Sequence, residues 1–225
     1  MVYVVGGIAH PGHKPQGDEY RREPTAFSHV GPLDLEASDL HLYVCAACPW
    51  AHRALITRNL SPTLRAKVKV SVVSPYRDDE VGWEFMNDGN RGELEQFTAL
   101  PATADASPLQ AEKLLDVYLA STPDYTGNIT TPTLYDARSN TILSNDSFDI
   151  MRTFVNTVPG ELGHLYADPE ATDREGKRID AELGQRVYMC GLAKTQEAYE
   201  ASFGRVFDEL ERWSGSLLPE GVAPA

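Results

Sequence analysis

His41-Leu42-Tyr43-Val44-Cys45-Ala46-Ala47-Cys48-Pro49-Trp50-Ala51-His52-Arg53-Ala54-Leu55 changes period at Cys48. Upstream of it the residues are short, apolar and β-prone, the signature of a strand. Downstream, Ala51, Ala54, Leu55 and Arg58 recur at spacings of three and four, as on a helix, until Ser61-Pro62 ends the run. Lys67-Val68-Lys69-Val70-Ser71-Val72-Val73 then alternates polar and apolar before its Val-Val end, as a strand does. A strand, a helix and a second strand of these lengths form a βαβ unit whose strands run parallel. Cys48 stands at its first corner.

Residues 74–110 carry loop signals, with at most short helices between them. A loop this long inside a domain is usually functional or an insertion. Residues 112–120 read as a helix. Thr131-Pro132-Thr133-Leu134-Tyr135-Asp136, the polar turn at 137–140 and Thr141-Ile142-Leu143-Ser144 read as a β-hairpin. Asn145-Asp146-Ser147 then opens a helix through Met151 and Phe154, with acid and hydroxyl where a helix start favours them. The order β-α-β-(insertion)-α-β-β-α is that of the thioredoxin-like fold. After Pro159-Gly160 the pattern is helical only. One helix is expected over 172–188. A second carries Tyr199, Phe203, Val206, Phe207, Leu210 and Trp213 as an apolar stripe with Thr195 as N-cap. The tail SGSLLPEGVAPA reads as a terminator. Upstream, 1–38 lack any sustained period and read as an irregular surface arm. The expected organisation is an arm (1–38), a thioredoxin-like domain (39–158) with an insertion (74–123), and a partial all-α domain (159–225). The class is α/β followed by all-α. There are no internal repeats.

Composition limits the partners. The 225 residues are 42% hydrophobic and carry a net charge of −13, which excludes general affinity for nucleic acid or an anionic membrane. No apolar run approaches the ~20 residues that span a bilayer. The opening MVYVVGGIAHPGHK lacks the basic and apolar regions of a signal peptide. Three cysteines are not a disulfide framework. A cytoplasmic, acidic, soluble protein is expected.

At a strand-to-helix corner, unpaired N–H groups and the helix dipole favour an anion, and so favour the nucleophilic thiolate of Cys48. Pro49 suits the first helical turn, where its missing N–H is not needed. Cys-Pro-Trp-Ala thus looks like a thioredoxin-type site whose second cysteine is replaced by Ala51. One-thiol sites of this kind characteristically handle glutathione mixed disulfides; the alternative is a buried, inert cysteine.

YVCAACPWAHRALITRNL, VSVVSPY, GWEF, PDYTGNITTPTLYD, ILSNDS and VYMCGLAKTQEAYE together resemble the glutathionyl-hydroquinone reductases, the Xi class of the glutathione transferases, over about 17–213. The resemblance implies that Cys48 attacks the glutathione sulfur of a glutathionylated quinol. A second glutathione then resolves the mixed disulfide. Glutathione is thus the co-substrate, and the chemistry needs no metal. The resemblance also implies glutathione contacts. Thr131, before a cis Pro132, would pair through its backbone with the cysteinyl part. Asp146 and Ser147 would hold the γ-glutamyl group, Asp146 standing where the family usually has Glu. Trp83 would pack against glutathione, or serve as a core aromatic. Tyr188 would face the substrate ring, its hydroxyl bonding the hydroquinone oxygen or leaving phenolate. A homodimer is compatible with the family.

The chain also departs from the family. Leu115 replaces a basic residue three positions before Tyr118, leaving Lys113 or Arg77 as candidates for a glutathione carboxylate. Met189 and Cys190 interrupt a stretch usually reading VYKAGFA. Cys45 makes Cys45-Ala46-Ala47-Cys48 formally a C-x-x-C, read either as a small residue closing the strand or as a reversible bridge to Cys48. Zinc at Cys45, Cys48 and His52 would lack a fourth ligand. His52, one turn beyond Cys48, is read as structural or as an influence on the thiolate. The family's helical domain runs roughly a third of the chain further, so a shortened domain with an uncovered apolar face is expected. Alternatives are an omega-like thiol transferase or dehydroascorbate reductase, and a non-catalytic glutathione-binding relative.

Overall fold

The structure is a computed structural model that describes residues 3–10, 25–78, 82–96 and 102–217. In chain order its elements are β1 (Tyr3–Val5), β2 (Ile8–His10), β3 (Leu40–Cys45), α1 (Pro49–Leu60), α2 (Pro62–Lys67), β4 (Val68–Val73), α3 (Arg91–Leu94), α4 (Leu114–Ser121), β5 (Gly127–Asn128), β6 (Thr133–Asp136), β7 (Thr141–Ser144), α5 (Ser147–Thr157), α6 (Pro159–Leu162), α7 (Pro169–Ile179), α8 (Gln185–Gly191) and α9 (Gln196–Leu217). A 3-10 turn, Gly163–Tyr166, follows α6, and a π-helical turn, Asp180–Gly184, joins α7 to α8. The described residues fall into two compact units, one of 3–10 with 25–167 and one of 168–217.

In the first unit a four-stranded sheet has the order β4-β3-β6-β7. β3 runs parallel to β4 and antiparallel to β6, and β6 pairs antiparallel with β7. The βαβ unit and the hairpin read from the sequence are both present. β3 is buried along its whole length, which is why it reads as a continuous apolar run. Leu40, Leu42 and Val44 pack with Ala51 and Ala54 of α1 and with Ile150 and Phe154 of α5. Tyr43 and Cys45 pack on the other side with Phe85, Leu114, Val117 and Tyr118. Each large side chain so buried contributes roughly 1.5–3 kcal/mol. The mixed sheet with helices on both faces is the thioredoxin-like arrangement.

The amino-terminal arm is not irregular throughout. β1 and β2 form a hairpin over Gly6-Gly7, and β1 also pairs with β5. Both glycines have positive φ, 54° and 80°, the requirement of a tight two-residue hairpin turn. Gly7 also lies against Pro123, whose carbonyl oxygen would be 2.2 Å from any added Cβ. Residues 25–38 have no regular elements but are tied down. Phe27 stacks on Tyr125 at 5.7 Å, and Thr153 Oγ1 donates to the His29 carbonyl at 2.6 Å. The rest of the expected arm, 11–24, lies outside the described residues. Ser61-Pro62 ends α1 as expected and also starts α2, Ser61 Oγ accepting from Leu64 N–H at 3.0 Å.

In the second unit α7 starts at Pro169, earlier than 172, because Asp168 caps it by accepting from Ala171 N–H at 3.0 Å. α9 begins after Thr195, whose Oγ1 accepts from Ala198 N–H at 3.2 Å, as the sequence suggested. It continues to Leu217, so the start of the expected terminator is helical; 218–225 lie outside the described residues. Most of the apolar stripe lies outside the buried face of α9, Val206 being the buried member and Trp213 a partly buried one. Ser202, Val206 and Glu209 are buried, whereas Tyr199, Phe203, Phe207 and Leu210 are 38–49% exposed. Hydrogen bonding accounts for the burial of Glu209. Glu209 accepts from Arg178, Arg212 and the Trp213 indole N–H, and this cluster sets which side of α9 packs inward. Among the described residues, no helix is long and apolar enough to cross a membrane.

Candidate active site

Cys48 is the N-cap of α1, in extended conformation with Pro49 next to it. Its N–H donates to the Cys45 carbonyl at 3.0 Å, and its carbonyl accepts from His52 N–H at 3.1 Å. The chain thus turns tightly out of β3 and enters the helix at the sulfur-bearing residue. Cys48 is partly buried, and its Sγ–H donates to the Thr131 carbonyl at 3.5 Å. The Thr131-Pro132 peptide is cis, as the resemblance implied. Thr131 is buried, and among the described residues its Oγ1 has no hydrogen-bond partner.

The segment before β6 is held by the buried hydroxyl of Tyr118. Thr130 N–H donates to it at 3.4 Å, Asn145 Nδ2 donates to it at 3.3 Å, and Thr133 Oγ1 lies 3.0 Å away. Thr133 Oγ1 donates in turn to the Thr130 carbonyl at 2.8 Å. A buried network with every member bonded fixes the backbone that faces Cys48.

Asp146 caps α5, its Oδ1 accepting from Phe148 and Asp149 N–H groups at 2.8 and 3.1 Å. Ser147, buried, accepts at Oγ from Arg53 Nε at 2.9 Å. Arg53 also lies over the Trp50 ring at 4.7 Å. The expected acid and hydroxyl therefore sit at the start of α5, tied to α1 by Arg53. Sequence reasoning gave Arg53 no role, because its partner lies far along the chain and no local spacing announces it.

Trp83 is held by the segment read as loop. Its carbonyl accepts from Leu114 N–H at 2.9 Å, Phe85 N–H donates to the Glu112 carbonyl at 2.9 Å, and Ser74 N–H donates to the Glu84 carbonyl at 2.8 Å. The insertion thus pins Trp83 between the end of β4 and the start of α4. Trp83 and Cys48 pack against the same core cluster, the one that contains Cys45. The Trp83 indole N–H is buried and has no hydrogen-bond partner among the described residues. Arg77 sets its guanidinium 5.5 Å from the Trp83 ring. Leu115 packs on the core cluster, and Lys113 N–H donates to Asp116 at 2.9 Å.

All three cysteines are free thiols. Cys45 closes β3 and is buried, its Sγ–H donating to the Ser74 carbonyl at 3.7 Å. Burial pushes its thiol pKa up. His52 is exposed on α1. Among the described residues, no three His, Cys, Asp or Glu are grouped to hold a metal. Tyr188 lies in the second unit, on α8, about a third exposed.

Cys48 facing the residue before a cis-proline, with a capped helix start beside it, suits binding of an extended thiol peptide and thiol–disulfide exchange. No family model matches the chain. It is 33% identical to glutathionyl-hydroquinone reductase YqjG of Escherichia coli K12, over 94% of the chain and 67% of that protein. It is 31% identical to the glutathione S-transferase omega-like 2 of Schizosaccharomyces pombe, over 92% of the chain and 66% of the relative. Among solved structures, the Xi-class transferase of Natrialba magadii matches with a TM-score of 0.75 and 31% identity, over 96% of the chain and 65% of that protein. Glutathione-bound YqjG matches with a TM-score of 0.70 and 30% identity, over 95% and 66%. The chain spans about two thirds of the length of these relatives.

Proposed function

The chain belongs to the glutathionyl-hydroquinone reductases, the Xi class of glutathione transferases, and we propose that it reduces glutathionyl-hydroquinones to hydroquinones at Cys48. The Cys48 thiolate attacks the glutathione sulfur of the conjugate. The sulfur–ring carbon bond breaks, the ring carbon takes a proton, and Cys48 is left in a mixed disulfide with glutathione. A second glutathione thiolate attacks the glutathione sulfur of that disulfide, releasing oxidised glutathione and the Cys48 thiolate. One conjugate and one glutathione thus give one hydroquinone and one oxidised glutathione.

The observation that carries this reading is the contact of Cys48 Sγ with the Thr131 carbonyl beside cis-Pro132. A thiolate has no proton to donate, so ionisation of Cys48 releases that carbonyl. It is then free to accept the cysteinyl N–H of glutathione, while Thr131 N–H donates to the cysteinyl carbonyl as in strand addition. Asp146 and Ser147 take the γ-glutamyl group, Trp83 packs along the tripeptide, and Tyr188 bonds the quinol oxygen. Glutathione and a glutathionylated quinol are the partners, the setting is the reducing cytoplasm, and the chain assembles as a homodimer.

Omega-like transfer is the second reading, favoured by the relative of that name. It uses the same mixed disulfide with dehydroascorbate or a glutathionylated protein as oxidant. Turnover of glutathionyl-menadiol with glutathione separates the two. Hydroquinone release by the chain, reduced on the order of 10³-fold or more in Cys48→Ala, supports the reductase. A Cys48 adduct without hydroquinone release transfers support to the omega-like reading.

A further inference from the structure

We propose that Cys45 is a second redox-active thiol, which converts the Cys48–glutathione disulfide into an internal Cys45–Cys48 disulfide. The proposal rests on the mixed disulfide put forward above. Cys48 N–H bonds the Cys45 carbonyl at 3.0 Å across a three-residue step, and a turn of that kind holds its ends within about 7 Å. Disulfides span Cα separations up to about 6.8 Å, so the turn brings the two cysteines into the range of a disulfide. Both cysteines belong to one packed cluster. The two thiols donate to different carbonyls, Cys45 to that of Ser74 and Cys48 to that of Thr131. Thiols are weak donors, and Cys48 gives up its bond once it is a mixed disulfide.

The surroundings of Cys45 set the order of events. Burial pushes the Cys45 thiol pKa up, and a charge on neighbouring Cys48 raises it further. Cys45 therefore does not compete as the first nucleophile. Once Cys48 carries glutathione its charge is gone, which leaves burial alone opposing the backbone N–H groups of Ala47 and Cys48 that favour charge on Cys45 sulfur. Cys45 sulfur attacks Cys48 sulfur, loses its proton and expels glutathione thiolate, which takes that proton. Cys45 sulfur is oxidised to the disulfide level, the glutathione sulfur is reduced to the thiol, and Cys48 sulfur stays at the disulfide level. Free glutathione competes for the same mixed disulfide, so the internal bond accumulates when reduced glutathione is scarce and reopens when it is abundant.

The test exposes the chain, alongside Cys45→Ser, Cys45→Ala and Cys190→Ser, to oxidised glutathione at a series of reduced-to-oxidised ratios. Acid quenching, alkylation and intact-mass measurement follow. The expected result at low ratio is a chain lighter by two hydrogens, with a Cys45–Cys48 cross-link in its peptides. That species persists in Cys190→Ser, while both Cys45 variants stop at one added glutathione. A chain that stops at one added glutathione at every ratio overturns the proposal, whatever the variants do. A chain that takes up no glutathione and forms no cross-link removes the mixed-disulfide reading, and this one with it.

Discussion

Arg53 Nε donates to Ser147 Oγ at 2.9 Å, so a side chain one turn into α1 is bonded to the first residue of α5. The two helix starts that carry the candidate site are thereby fixed to each other, one bearing Cys48 and the other capped by Asp146. Arg53→Leu leaves the buried Ser147 hydroxyl without this donor, a loss of about 1–3 kcal/mol. For a chain of this size that is roughly 3–10 °C in melting temperature. The double variant Arg53→Leu with Ser147→Ala removes both ends of the bond and regains part of the loss. Thermal melts of the three proteins check this; a double variant no better than Arg53→Leu contradicts it.

Trp83 has a buried indole N–H with no partner among the described residues, although its ring is well packed. Trp83→Phe keeps most of the ring and removes the N–H. With the N–H serving glutathione, KM for glutathione rises about three- to tenfold while the melting temperature stays within a degree or two. Steady-state kinetics beside a melt separate the cases: unchanged KM with lowered stability assigns Trp83 to the core alone.

Glu209, gripped by Arg212 and Arg178, has its carboxyl pKa held at about 2, against an ordinary 4.5. A carboxylate whose folded value is depressed contributes stability above its ordinary value, and that contribution is lost as pH falls toward the folded value. Glu209→Gln is expected to lower the melting temperature by several degrees at pH 7. The gap between variant and parent should then close between about pH 4.5 and 2. Melts across that range read the gap directly; a constant gap rules out the charge cluster as its source.

The βαβ unit, the hairpin of β6 and β7, the Cys48 corner and the capped start of α5 were legible in local chemistry, namely periodicity, turn residues and a capping acid, whereas the cis Thr131-Pro132 bond was implied only by the family resemblance. The hairpin at 3–10 was missed, although Val4-Val5-Gly6-Gly7-Ile8-Ala9 carries its turn, because brevity hid it. Three-residue strands have no period to detect, and β1 depends on pairing with β5 far downstream. Long-range side-chain bonds were invisible. Neither Arg53 to Ser147 nor Tyr118 to Asn145 has a spacing that marks it. Most of the apolar stripe of α9 is uncovered, as expected for a shortened helical domain, but the burial of Glu209 on that helix was not foreseen, for a related reason. Hydrophobicity alone ranks Phe203 and Phe207 above Glu209, but a carboxylate with two arginines and an indole to bond is buried at less cost than its charge suggests.

The π-helical turn at Asp180–Gly184, where Gln185 N–H reaches back to the Asp180 carbonyl, alters how the following residues are counted. The turn accommodates one residue more than a regular helix of equal rise, so everything after it is set back by about 100° around the axis relative to an unbroken α-helical count. An alignment that treats 169–191 as one uniform helix therefore assigns Tyr188 to the wrong side. Here one position of chain length is equivalent to one choice of direction. A chain one residue shorter between 180 and 184 presents Tyr188 and its neighbours on the same side from an ordinary helix, which makes this turn the place where α7 and α8 absorb a deletion without turning the tyrosine away.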